Sequence, residues 1–287
     1  MQEQDFPSLY RSADDLSLKS QKHFFQALRI HLVLLVIAAT LSIISIPHWL
    51  VALAQLLALL GALGCSIYLF SVRPDRMWYS GRAVAESIKT VTWRYVCRAE
   101  PFQTENLIAK NDFRQTLKQI IEQNREVCES LTEHLDGEQF TQVMEQLRSQ
   151  SLEERKATYK NTRIKDQLTW YAKKAKFNRK MSKYFFWGLI GINSLAVICA
   201  AFRIIYINQS FWPTDVLVAI AASLLSWMQA KRFSELASSY SLAAHEISLI
   251  NEQSLRSTTD NDFSIFVGDA ENAFSREHTQ WVARKDI

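Results

Sequence analysis

Four blocks of apolar sequence, each of roughly twenty residues, constrain this chain more than any other feature. They occupy residues 27–46, 49–71, 184–207 and 211–229, and strongly polar sequence separates the two pairs. A helix rises about 1.5 Å per residue, so roughly 20 apolar residues cross a hydrocarbon core of about 30 Å. Each block therefore predicts a transmembrane helix. The alternative, four buried helices of a large soluble core, is less economical because the blocks contain almost no charge.

The chain also contains an internal repeat. In each half, a first apolar block is joined to a second by a very short connection, which forces an antiparallel helical hairpin. A shift of 160 residues aligns the second block with the fourth, so the chain is predicted to hold two similar hairpins. The aligned pairs are Gln55 and Asp215, Ala62 and Ala222, and Ser66 and Ser226.

The charges that flank the blocks predict their orientation. Basic residues precede the first and third blocks and follow the second and fourth, whereas the short turns carry little more than His48 and Arg203. The positive-inside rule therefore places both termini and the middle of the chain in the cytoplasm. Both hairpins then enter from the same side, so the repeat is parallel, which argues against a transporter built from inverted repeats.

The remaining sequence is polar and prone to form helices. With only seven glycines, five prolines and almost no alternating strand pattern, the chain is predicted to be all helical. The predicted fold is an all-α membrane protein with two parallel repeats of a transmembrane hairpin, four spans in all, and long helices that extend into a cytosolic helical region. The predicted segments are a first hairpin module at 1–100, cytosolic amphipathic helices at 101–165, and a second hairpin module at 166–287.

Small and polar side chains recur on one side of three spans. Steps of three and four residues put them on one helical face. Such a face has two interpretations: tight packing of helices, or the wall of a polar pathway for inorganic ions through a homo-oligomer. The pore-lining candidates are Asp215, Ala219, Ala222, Ser226 and Gln229 on the fourth span, Gln55, Ala62 and Ser66 on the second, and Ser42 and Ser45 on the first.

The repeat also aligns two carboxylates outside the spans. Glu86 follows the first hairpin and Glu246 follows the second at matching positions. A carboxylate at both places can pair with a basic residue of a neighbouring helix and couple cytosolic motion to the spans. An ordinary exposed glutamate is the alternative.

Sequence motifs for chemistry are missing. There is no glycine-rich phosphate loop, HExxH, GxSxG or CxxC, and the six histidines are scattered. We therefore predict no catalytic, cofactor-binding or metal-binding residues, no enzymatic activity and no nucleic-acid partner. Membrane lipids and further copies of the chain are the expected partners.

Four segments resemble a known family. They read LYRSADDLSLKSQ, WYSGRAVAESIKTVTWRYVCRAEPF, RIKDQLTWYAKKAKFNRK and DAENAFSREHTQWVAR, and together they span nearly the whole chain. The chain is similar to the SLATT family, the SMODS- and SLOG-associating two-span effector domains, with a different subtype in each hairpin. The resemblance implies a bacterial inner-membrane protein that forms pores in nucleotide-signalled conflict and anti-phage systems. It defines no catalytic residues.

Two functional hypotheses follow. The first is an oligomeric membrane channel or pore that is gated through its cytosolic helices. The second is a non-conducting membrane anchor whose cytosolic helices recruit partners. The sequence leaves the ion selectivity, the gating trigger and the number of subunits open.

Overall fold

The computed structural model describes residues 1–44, 48–209, 211–254 and 258–283, with side chains up to residue 275. Every regular element in this part of the chain is a helix, which confirms the all-α prediction. The helices are α1 (Ser8–Ile43), α2 (Trp49–Val72), α3 (Pro74–Val96), α4 (Asn106–Gln123), α5 (Arg125–Cys128), α6 (Gln142–Ser149), α7 (Leu152–Tyr159), α8 (Lys165–Ile205), α9 (Thr214–Lys231), α10 (Phe233–Gln253) and α11 (Asp260–Ala283), with a 3-10 turn at Glu3–Asp5 and a π-helical turn at Lys160–Ile164.

Four of these helices are long and apolar enough to cross a membrane, as the sequence predicts. Their most apolar windows belong to α1, α2, α8 and α9, and only 6% to 17% of each window is buried within the chain. Core helices of a soluble protein would be buried instead, so the soluble-core alternative does not fit. The spans differ from the predicted bounds at their ends, because α8 stops at Ile205 and α9 begins at Thr214.

The described residues fold into two compact units. The polar unit comprises Met1–Gln21, Asp75–Ala172 and Ser241–Ile287, and the span unit comprises Lys22–Pro74 and Lys173–Tyr240. The predicted segments at 1–100, 101–165 and 166–287 follow the sequence repeat rather than this division, and they stay a prediction.

The two units carry opposite net charge. The span unit contains twelve lysines and arginines but only two acidic residues, Asp215 and Glu235, so its formal charge is +10. Because the whole chain carries +4, the polar unit carries −6. The basic excess is thus confined to the unit that holds the membrane spans.

One residue interrupts the path of the chain after the second span of each hairpin. Arg73 separates α2 from α3 with φ 47°, and Arg232 separates α9 from α10 with φ 50°. The sequence indicates that the fourth span continues unbroken into the cytoplasm, so the break at Arg232 is a finding of the structure. The left-handed region costs a residue with a Cβ atom about 1–2 kcal/mol. After the 160-residue shift the two breaks lie one position apart, so the repeat includes this joint.

A buried arginine fastens α6 to the segment that follows α3 in the polar unit. The Arg148 guanidinium donates to the carbonyl oxygens of Tyr95 at 2.6 Å, Phe102 at 2.9 Å and Thr104 at 3.0 Å. Its Nε donates to Oδ1 of Asn106 at 3.1 Å, and the guanidinium lies 4.7 Å from the centre of the Tyr95 ring. The planar fork of arginine satisfies all these acceptors at once.

We expect Arg148→Lys to lower the free energy of unfolding by about 2 kcal/mol, although it keeps the charge. A lysine ammonium cannot reach the same set of carbonyl oxygens, so some acceptors lose their partner in the core. Denaturant unfolding of the purified protein in detergent, followed by tryptophan fluorescence, measures the change. Arg125→Lys on the exposed surface of the same unit is the matched control. Equal stabilities of the two variants would contradict the prediction.

Candidate functional site

The five predicted positions on α9 lie on a face that the chain leaves largely uncovered. Within the span unit, α9 buries Leu217 and Ala221, which lie on the opposite side of this helix. The polar face is therefore turned away from the contacts that hold α9 in its own chain. Its members are Asp215, Ala222, Ser226 and Gln229, which are exposed, and Ala219, which is half-buried.

The matching face of α2 has different surroundings. Ala62 is buried, and its carbonyl oxygen accepts hydrogen bonds from His31 Nδ1 on α1 at 3.0 Å and from Ser66 Oγ at 3.2 Å. A Cβ atom on Gly61 would lie 3.0 Å from Leu34 Cδ1, so the absence of a side chain lets α2 approach α1 closely. At Ala62, therefore, this face of α2 packs inside the first hairpin.

The other candidate positions of the first hairpin are less enclosed. Gln55 is half-buried, whereas Ser66 and Ser42 are exposed. The Ser42 hydroxyl donates to the carbonyl of Ala39 at 2.8 Å on its own helix. Ser45 lies outside the described residues.

A cluster of rings and cations joins α1 to the end of α9. Lys231 Nζ lies 3.2 Å from the centre of the Phe25 ring and 5.1 Å from that of Trp227. Arg29 approaches the same Trp227 ring at 5.6 Å, and the Phe25 and Trp227 rings meet at 5.8 Å. Cations over aromatic faces are favourable, and more so where water is excluded. This contact holds the C-terminal end of α9 against α1.

The two aligned glutamates of the polar unit occupy unlike environments. Glu86 is buried and pairs with Arg82 one turn earlier on α3 at 2.5 Å. Arg82 also contacts Asp14 of α1 at 3.1 Å, so the pair ties α3 to the start of α1. Glu246 is exposed on α10, beside a shallow cavity of about 300 Å³ between α10 and α11. The role of either residue in coupling stays a prediction.

Comparison with protein families shows where the chain belongs. Residues 7–156 match the SMODS and SLOG-associating 2TM effector domain 3, and residues 159–281 match the SMODS and SLOG-associating 2TM effector domain 1. The chain belongs to the SLATT family. The tandem of two subtypes confirms the resemblance found in the sequence. Searches of curated proteins and of solved structures find no match.

SLATT domains are membrane-associated effector domains linked to defence and signalling, and the four apolar helices make this SLATT chain a membrane protein.

One buried ion pair of the SLATT polar unit was not predicted from the sequence. Arg163 and Glu271 form a two-pronged ion pair, with Nη2 to Oε2 at 2.7 Å and Nε to Oε1 at 2.9 Å. The hydroxyl of Tyr159 donates to the same Oε1 at 2.9 Å. The side chains of Arg163 and Glu271 are 2% and 0% exposed. Arg163 belongs to the π-helical turn at Lys160–Ile164, so an irregular turn positions the guanidinium next to Glu271.

Burial and charge act together on this cluster. Burial raises the pKa of the Tyr159 phenol well above its ordinary value, and the neighbouring Glu271 carboxylate raises it further. Burial opposes the charge on Arg163, but Glu271 outweighs that effect, so the pKa of the guanidinium is raised. The network therefore keeps Tyr159 as a neutral donor and Arg163 as a cation. A sequence signal existed, since Glu271 falls among the buried apolar positions Val267 and Phe274 of α11.

Proposed function

We propose that this SLATT protein is an oligomeric membrane channel that is gated through its cytosolic helices. The observation that carries the proposal is the exposed polar face of α9. Polar residues within a span normally face protein or water rather than lipid. Four spans are too few to enclose a pathway, so several chains must contribute this face around an axis.

Asp215 gives the proposed pathway its selectivity. It stands in the first turn of α9, next to the hairpin connection, where a carboxylate can stay hydrated. A ring of carboxylates favours cations at a pore mouth. Inorganic cations are therefore the proposed permeant species.

Continuous helices supply the proposed gating route. The helices α1, α8 and α10 each contribute residues to both compact units without a break. A rotation of their cytosolic parts would be transmitted to the spans, and the joints at Arg73 and Arg232 allow the remaining helices to change direction. We further propose a bacterial inner-membrane location with both termini in the cytoplasm. Labelling of single cysteines by a membrane-impermeant reagent tests that orientation.

Recording from purified protein in planar bilayers tests the channel directly. We expect cation-selective currents, and we expect Asp215→Asn to move the ratio of cation to anion permeability toward one because it removes the ring of charge. Glu235→Gln, the other carboxylate of the span unit, is the matched control and leaves the ratio unchanged. An intact oligomer that passes no current, with and without an applied voltage, would contradict the proposal.

A second candidate is the non-conducting anchor. The shallow cavity between α10 and α11 favours this candidate. Its lining combines exposed Leu249 with the carboxylates of Glu246 and Asp269. A lining that combines carboxylates with apolar side chains suits a basic amphipathic segment of a partner. This candidate predicts a stable oligomer or monomer without conductance, so the same bilayer recording separates the two functions.

A further inference from the structure

The first part of α8 in the span unit carries a row of lysines interleaved with aromatic rings. Steps of three and four residues place them on one side of the helix, immediately before its apolar span. We call this row the basic collar. Its members are Lys173, Lys176, Phe177, Lys180, Lys183, Tyr184 and Trp187.

The lysines of the basic collar are exposed and have no acidic partner among the described residues. In the polar unit, by contrast, several exposed bases have acidic partners: Lys19 pairs with Glu133 at 2.7 Å, for example, and Arg76 with Glu126 at 2.9 Å. The sequence explains the difference, because no aspartate or glutamate occurs from residue 167 to residue 214. The collar thus offers positive charge that the chain itself does not neutralise.

The net charge of the surrounding unit strengthens the attraction of the collar for anions. The collar belongs to the span unit, whose formal charge is +10. Charges of one sign on a helix that enters a bilayer create a field that attracts the opposite charge at the surface. On α8 itself the only carboxylate is that of Asp166, about two turns before Lys173.

The aromatic rings show the depth at which the collar lies. Trp187 is 68% exposed, Tyr184 is 61% exposed and Phe177 is 53% exposed. Tryptophan and tyrosine prefer the level of the lipid headgroups, where the ring is buried and its polar atom is hydrated. Lys180 Nζ lies 5.5 Å from the centre of the Tyr184 ring, so a cation of the collar is held at the same level as the rings. Lysine stems can lie along the acyl boundary while their ammonium groups reach the phosphates.

We propose that the basic collar is a binding site for the phosphate groups of anionic phospholipids. Several lysines on one side of α8 contact one or two headgroups, and the aromatic rings pack against the adjoining glycerol and acyl groups. The protein therefore selects anionic over zwitterionic lipids at this helix. Lipid binding at this site does not require conduction, so a negative result for the proposed channel would leave this proposal unaffected.

Spin-labelled lipids test this selection in the full-length protein. The protein is reconstituted in phosphatidylcholine nanodiscs that contain a trace of spin-labelled phosphatidylglycerol or spin-labelled phosphatidylcholine. We expect the immobilised fraction to favour phosphatidylglycerol on the order of fivefold, since each lysine near an anionic group adds measurably to binding. The double variant Lys176→Gln/Lys180→Gln should lower this preference about twofold, roughly half of the logarithmic effect. Lys176→Arg/Lys180→Arg should retain it.

A matched pair of substitutions separates the collar from general charge. Lys118→Gln/Arg125→Gln also removes two exposed cations, but from the polar unit. An equal loss of preference in this control, or no preference in the wild type, would overturn the proposal. Inorganic phosphate at constant ionic strength should displace little of the lipid, and complete displacement would indicate a site for soluble anions instead. Should the glutamine variant fail to fold, the arginine variant and a salt titration of the wild type still decide, because headgroup binding weakens as salt screens it.

Discussion

Replacing Glu271 with alanine is expected to lower the free energy of unfolding by about 3–5 kcal/mol, because it leaves a buried guanidinium without its counter-charge. Arg163 loses both prongs of the ion pair, at 2.7 Å and 2.9 Å. Tyr159 loses the acceptor of its hydroxyl at the same time. The ring of Phe274, 5.0 Å from the guanidinium, cannot replace a carboxylate.

Denaturant unfolding in detergent checks this value. Trp93 is a convenient probe because its ring lies 5.6 Å from that of Tyr159. Glu252→Ala, which removes an exposed carboxylate from α10 of the same unit, should change stability by less than about 0.5 kcal/mol. The paired substitution Arg163→Met/Glu271→Leu should recover most of the loss, since replacing both buried charges by apolar groups is often neutral. A cost below about 1 kcal/mol for Glu271→Ala would show that the pair contributes no more than a surface contact.

Substituting Ser226 by tryptophan is expected to reduce single-channel conductance on the order of tenfold or to abolish it, because every chain would place a bulky ring in the proposed pathway. Ser226 is exposed and lies opposite the buried face of α9. Because the serine side chain is not buried, its replacement removes no core contact. Loss of current should therefore occur without loss of folded protein.

Leu225→Trp is the matched control for this substitution. Leu225 is an exposed neighbour on α9, but it points about 100° away around the helix. It should retain conductance if the face of Ser226 lines the pathway. Planar-bilayer recording measures both variants, and size-exclusion chromatography shows whether their oligomers are intact. Equal conductance in the two variants would remove the face of α9 from the pathway.

The membrane architecture was predictable because hydrocarbon imposes a simple rule on sequence. A span needs a long run of apolar residues, and such runs are visible without knowledge of any contact. The same reasoning gave the short connections and the two hairpins, and the family comparison confirms that two SLATT domains stand in tandem. The helical character of the polar unit also followed from its periodic apolar residues.

The details of the polar unit were not predictable, because they rest on partners far apart in sequence. Arg163 and Glu271 are separated by 108 residues, and helical periodicity reports only neighbours within a few turns. The joints at Arg73 and Arg232 carry no glycine, the usual sequence sign of a left-handed residue. Nor does the sequence repeat predict burial: Ala62 and Ala222 align in sequence, yet the first is buried in its hairpin and the second is exposed.

The join between the two SLATT domains has a consequence for stoichiometry. The match to the first domain ends at residue 156, the match to the second begins at residue 159, and both residues belong to α7 (Leu152–Tyr159). The hairpins are therefore inherited, synthesised and assembled as a pair. Any ring made of copies of this pair receives the two subtypes in equal numbers. A complex of related single-hairpin proteins could combine them in other ratios, but this covalent pair cannot.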